Sequence, residues 1–101
     1  MATEIFSLAI LDARPGKEDE LMNALRELYQ LMNDKGYCRD TLYRDSSSTD
    51  RFIHFRHWTS AEMRAEAQID PEVHRYWQML PELCDIKTIY ETLEKLFETS
   101  G

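Results

Sequence analysis

Cysteine is scarce in this chain, with two among 101 residues, Cys38 and Cys84, far apart. Neither belongs to a C-x-x-C pair, which excludes zinc ribbons and thioredoxin-type chemistry. In a reducing compartment both read as small buried hydrophobes. Basic residues are also in deficit: 12 Lys and Arg stand against 19 Asp and Glu, a net charge of −7. Such acidity repels phosphate backbones and anionic lipid, so nucleic acid and membrane are not expected as partners. No apolar run approaches the ~20 residues that span a bilayer. The start, Met1-Ala2-Thr3-Glu4-Ile5, has no basic region of the signal-peptide kind, and a cytoplasmic location is the expectation. A Gly-rich phosphate loop, a Ser-His-Asp order, a flavin fingerprint and internal repeats are all missing.

What remains is ordinary globular material, 43% apolar and 31% charged. It suffices for a single domain over residues 1–101, with a core at about residues 4–93, and not for a second core.

Residues 5–12, Ile-Phe-Ser-Leu-Ala-Ile-Leu-Asp, are β-rich, and Arg14-Pro15-Gly16 breaks the strand. From Lys17 the period changes. Leu21, Ala24, Leu25, Leu28 and Met32 recur at three- and four-residue spacing, which predicts an amphipathic helix with acidic residues at its positive end. Gly36 supplies the left-handed stop. Residues 37–45 read as a strand with Tyr37, Thr41 and Tyr43 on one face and Cys38 and Leu42 on the other. A polar turn, Ser46 to Asp50, leads into a third strand over residues 51–59. Thr59 and Glu62 stand at capping-box spacing before a helix through about Gln68. Asp70-Pro71 opens a further helical stretch that ends near Leu83. A last strand, residues 85–93, places Ile86, Thr88 and Tyr90 on one face and Ile89 and Leu93 on the other. The tail from Glu94 extends as a short helix or frays. The order β-α-β-β-α-β, with the second helix broken in two, predicts an α+β, ferredoxin-like split βαβ fold with a four-stranded antiparallel sheet.

These strands are apolar on both sides. Phe6, Leu8 and Ile10 oppose Ile5, Ala9 and Leu11, and Phe52 and Trp58 oppose Ile53 and Phe55. Helices cover only one face of such a sheet. Leaving the other wet forfeits about 1.5–3 kcal/mol per large side chain, so a homodimer is expected.

Several segments then carry a resemblance. Arg14-Pro15-Gly16-Lys17-Glu18-Asp19-Glu20-Leu21, Gly36-Tyr37-Cys38, Leu42-Tyr43-Arg44-Asp45, Arg51-Phe52-Ile53, Trp58-Thr59-Ser60 and Asp70-Pro71 recur in order. Together they resemble the antibiotic biosynthesis monooxygenase family, whose members are homodimeric α+β barrels. The resemblance implies a mixed set of activities: oxygenation of anthrones or quinols without metal or flavin, haem degradation, and members with no known activity. The chain departs from the family pattern at three places. Arg56 stands where many members have Glu, Ala65-Glu66 replaces an Ala-His pair, and Pro71-Glu72-Val73 replaces Pro-His-Phe, with His74 just beyond. Ala9 and Trp77 occupy the places of the haem-degrading branch's Asn and His, which argues against haem.

Period two places Phe52, His54, Arg56 and Trp58 on one face of the third strand. By the resemblance, that face looks into a cavity between sheet and helices. Oxygenation without a cofactor needs a base that favours the deprotonated aromatic, donors for the developing oxyanion, and apolar walls. His54 as base or donor, Arg56 as oxyanion partner and Trp58, through its indole N–H, as positioning residue fit those needs. Phe52, His74, Tyr76 and Trp77 fit as substrate-binding walls for a small aromatic molecule. Blander readings stand beside these: Trp58 as core, His54 as a satisfied buried histidine, Arg56 paired with Glu62 or Asp85. His57 points to the opposite face and reads as structural. No metal is expected, because His54 and His57 face opposite ways and leave only His74 as a third imidazole. No cofactor is expected either. Two functions follow: a cofactor-independent monooxygenase of a quinol, phenol or anthrone, or a non-catalytic dimeric module binding a small molecule or partner.

Overall fold

The computed structural model describes residues 5–100. Its elements are β1 (Ile5–Ala13), α1 (Glu18–Asp34), β2 (Cys38–Arg44), β3 (Arg51–Trp58), α2 (Ala61–Gln68), α3 (Pro71–Leu83) and β4 (Cys84–Leu93). The four strands form one antiparallel sheet in the order β2-β3-β1-β4, the arrangement expected of a split βαβ fold. Among the described residues no helix is long and apolar enough to cross a membrane.

Helix α1 buries Leu21, Ala24, Leu25, Leu28 and Met32, the stripe its spacing predicts. It stops as the sequence requires. Gly36 adopts a φ of 77°, its N–H donates to the Asn33 carbonyl and the Tyr37 N–H donates to that of Met32. This pair of bonds is a Schellman closure, available at low strain because glycine has no Cβ. The start of α2 differs from expectation. Ser60, not Thr59, caps it by accepting from the Met63 N–H, while the Thr59 hydroxyl donates to the Gly36 carbonyl. Residues 94–100 form no helix.

Asp70 caps α3 by accepting from the Glu72 N–H at 2.9 Å, and it also accepts from Lys35 Nζ at 2.7 Å and the Tyr37 hydroxyl at 2.6 Å. Lys35 and Tyr37 hold its carboxyl down to about 2, from 3.8. A carboxyl lowered in the folded state contributes stability that is complete above its unfolded value and lost as pH falls. The thermal midpoint is therefore expected to drop between pH 3.8 and about 2. Asp70→Asn should lower the midpoint at neutral pH and flatten that acid limb, measured by calorimetry across pH.

The core lies between sheet and helices in two clusters. One gathers Leu11, Leu21, Leu25, Phe52, Leu83 and Cys84; the other gathers Leu28, Met32, Cys38, Trp58, Ala67 and Val73. Both cysteines are free and buried, and burial pushes their thiols up to about 12 for Cys38 and about 11 for Cys84.

Strand β4 corrects a second expectation. Its pairing with β1 shifts register between Ile10 and Leu11 and again between Phe6 and Leu8. Leu11 pairs with Ile86, and Ala9 with Ile89. Leu11 and Ala9 share the inner face, so Ile86 and Ile89 both point inward instead of opposing each other. Tyr90, paired with Leu8, and Leu93, paired with Phe6, both point outward. An extra residue in one strand of a pair reverses the alternation beyond it.

Candidate functional site

A cavity of about 340 Å³ opens where the two core clusters meet the sheet. Leu11 and Leu25 from one cluster and Leu28 and Trp58 from the other line it, with Ala9, Trp77, Leu80, Ile86 and Ile89 completing an apolar wall. The β4 register shifts matter here, because they deliver both isoleucines to the same wall. Polar side chains on the wall are few: Ser7, His54, Arg56, Arg64, Gln68 and Glu91.

Of the seven side chains that the sequence proposes for the site, His54, Arg56, Trp58 and Trp77 line this cavity. Phe52 does not. It is 1% exposed and packed in the core with Leu11, Leu21 and Leu25, with the Arg44 guanidinium 5.3 Å from its ring centre. Tyr76 packs against the second cluster beside Trp77, and the Arg75 guanidinium lies 5.4 Å from its ring. His74 donates through Nε2 to the Gln68 carbonyl, and its ring rests 5.3 Å from that of Trp77.

The residue missing from the sequence reading is Asp40. Strand register sets it directly opposite Arg56, with Leu42 opposite His54. Its Oδ1 accepts from Arg56 Nε at 2.6 Å and from His54 Nε2 at 2.8 Å, and its side chain has no exposure. Arg56 therefore pairs with neither Glu62 nor Asp85; Asp85 is 3.2 Å from Arg14 instead. Burial alone raises the Asp40 carboxyl, but the His54 hydrogen bond and the Arg56 charge outweigh it and hold the group below the usual carboxylate range. For His54 burial wins. It drives the imidazole toward its neutral form against the Asp40 hydrogen bond, and the Arg56 charge adds to the effect.

These states assign the protons. An ionised carboxylate only accepts, so His54 Nε2 carries hydrogen and the neutral ring keeps its lone pair on Nδ1. Arg56 is 7% exposed and lines the apolar cavity, while its Nη2 is fully buried and has no hydrogen-bond partner among the described residues. Leaving a guanidinium N–H buried and unpaired costs free energy, and the Asp40 carboxylate and the Trp58 ring hold the group in place against that cost.

Trp58 differs from its expected role. Its indole Nε1–H donates to Ser7 Oγ at 3.2 Å, and the Ser7 hydroxyl donates onward to the Glu91 carbonyl at 2.6 Å. That N–H is committed to the fold. The ring forms wall, with the Arg56 guanidinium 5.2 Å from its centre. Among the described residues no three His, Cys, Asp or Glu side chains converge to hold a metal ion.

Comparison with known proteins adds lineage. The family model described as antibiotic biosynthesis monooxygenase matches residues 5–76. SnoaB, a cofactor-independent oxygenase from Streptomyces nogalater, superposes with a TM-score of 0.77 at 17% identity, covering 96% of this chain and all (100%) of that one. PA3566 from Pseudomonas aeruginosa gives 0.77 at 20% identity, covering 96% and 98%. A conserved protein of unknown function from Bacteroides thetaiotaomicron gives 0.78 at 18%, covering 90% and 99%. At such identities the likeness is one of fold. No curated protein matches the chain.

Proposed function

The chain belongs to the antibiotic biosynthesis monooxygenase family, and from that premise we propose that it is a cofactor-independent oxygenase of a small planar phenol, hydroquinone or anthrone. The observation that carries this reading is the pairing, on one apolar wall, of a neutral His54 with the Arg56 guanidinium, both held by the buried Asp40. His54 Nδ1 takes a proton from the substrate. The resulting anion passes an electron to O₂, and the radical pair combines into a peroxide. With an anthrone, one oxygen atom remains as the new carbonyl and the other leaves as water, so the proton removed at the start is returned in that water. Arg56 stabilises the oxygen on which negative charge gathers, and the Trp58 and Trp77 rings flank a planar ligand. The structural likeness to SnoaB, a cofactor-independent oxygenase, supports the class of chemistry.

Oxygen uptake with a panel of hydroquinones and anthrones tests the proposal. His54→Ala is expected to slow uptake by about 10²–10⁴-fold, the usual worth of a positioned base. An unchanged rate removes the mechanism. Planar ligands that raise the melting temperature while no oxygen is consumed mark a binding module instead.

The same reading includes a dimer. The face of the sheet away from the helices carries Phe6, Leu8, Ile53 and Phe55, with Phe6 stacked on Phe55 at 5.6 Å and Tyr43 edge-on to Phe55 at 5.6 Å. Tyr43 and Tyr90 are 57% and 53% exposed there. A contiguous apolar face of this kind marks an interaction surface, and a second copy of the sheet covers it by two-fold symmetry. Sedimentation at micromolar concentration should show a dimer, and Phe55→Arg should shift it to monomer.

A further inference from the structure

We propose that Asp40 is the counter-ion that lets this cavity take its substrate as a neutral phenol or enol and ionise it in place, so that molecules already carrying a carboxylate are rejected. The inference rests on the site described under the proposed function, and it adds a residue and a substrate class.

Charge balance leads to it. At rest the cluster holds one anion, Asp40, one cation, Arg56, and a neutral His54, so its net charge is zero. Two further titratable groups that pack on it, Tyr29 and Cys38, add no charge at neutral pH. Tyr29 of α1, whose ring lies 5.0 Å from that of His54, is pushed up by burial, as is Cys38 beside Asp40. Arg64 and Glu91, elsewhere on the wall, form their own ion pair at 3.7 Å. A carboxylate entering this neutral, apolar pocket loses its hydration while Asp40 has already claimed much of the Arg56 charge, and isolated buried charge is expensive.

A neutral phenol meets a different situation. Its O–H bond breaks, the proton binds His54 Nδ1, and the bonding pair stays on oxygen; no electron leaves the site in this step. The product is an alternating row: phenolate on the cavity side of Arg56, guanidinium, Asp40 carboxylate, imidazolium. The total remains zero, and each new charge has an opposite neighbour. Asp40 has no exposure and is not part of the cavity wall, so it acts through His54 and Arg56 without touching the ligand. It is a positioning residue.

The probe is 4-nitrophenol, whose ionised form absorbs in the visible while its neutral form does not. Binding to the wild-type protein at a pH where the free probe is mostly neutral is expected to raise the phenolate band. Asp40→Asn keeps the volume and an oxygen that accepts from both Arg56 Nε and His54 Nε2, yet removes the charge. Bound probe should persist in that variant, with its ionised-to-neutral ratio reduced by about tenfold or more, the equivalent of one pKa unit. His54→Gln should give the same loss of band and guards against misfolding of the first variant. Benzoate, a planar carboxylate, should fail to displace the probe at a tenfold excess. A band that is absent in the wild type or unchanged in Asp40→Asn overturns the inference, as does displacement by benzoate. The oxygenase reading fails separately, by a normal band with no oxygen uptake from any hydroquinone or anthrone.

Discussion

Replacing Arg56 with methionine is expected to destabilise the fold by about 3–5 kcal/mol and to slow oxygen uptake by about 10²–10³-fold. The first effect comes from Asp40. Its carboxylate, without exposure, loses the guanidinium at 2.6 Å and keeps two uncharged partners, His54 at 2.8 Å and the weak Cys38 thiol donor at 3.5 Å. Breaking one side of a buried ion pair leaves an uncompensated charge, and about 3–5 kcal/mol is the usual cost. The second effect comes from removing the guanidinium from the cavity wall; loss of one oxyanion donor lowers turnover by about 10²–10³-fold. Urea denaturation with near-ultraviolet circular dichroism measures the first, oxygen uptake the second. The two effects separate in the double variant Asp40→Leu, Arg56→Met. Removing both charges restores most of the stability and none of the activity. Retention of wild-type stability in the single variant would show that Asp40 does not depend on Arg56.

Phe52→Ala should cost about 3–5 kcal/mol, as a large aromatic removed from a close-packed core does. Phe52 is 1% exposed and packs with Leu11, Leu21 and Leu25. Although alternation puts it on the same face as His54, it lies outside the cavity wall. The milder Phe52→Leu is therefore expected to lower the urea midpoint and leave 4-nitrophenol binding as it was. A large loss of probe affinity in Phe52→Leu would return the residue to the ligand site. Position along a strand thus gives a face, while depth beneath the neighbouring helix decides between wall and core.

Asp40 shows where the sequence reading stops. Alternation along β2 assigns Cys38 and Leu42 to the inner face, and Asp40 between them necessarily shares it. A carboxylate on a face otherwise apolar signals a buried pair. The sequence does not reveal which strand lies alongside or in what register, and Glu62 and Asp85 looked equally available to Arg56. Once β2 and β3 pair with Asp40 opposite Arg56, the choice is settled. The β4 isoleucines make the same point: a register shift against β1 turns Ile86 and Ile89 to one side, and no single-strand pattern encodes it. On α3, His74, Tyr76 and Trp77 follow one another so closely that spacing alone cannot rank them; packing against α2 and the sheet puts Trp77 on the cavity.

The order of elements, the buried stripe of α1, the Gly36 stop, the helix start at Asp70-Pro71 and the shared face of His54, Arg56 and Trp58 follow from the sequence alone. Each depends on residues close in the chain, where periodicity and backbone preference act directly. The tertiary structure alone decided which acid meets Arg56, that the Trp58 indole N–H is spent on Ser7, and which isoleucines close the wall. Those outcomes depend on strand register and on burial, which arise only when segments distant in sequence are brought into contact.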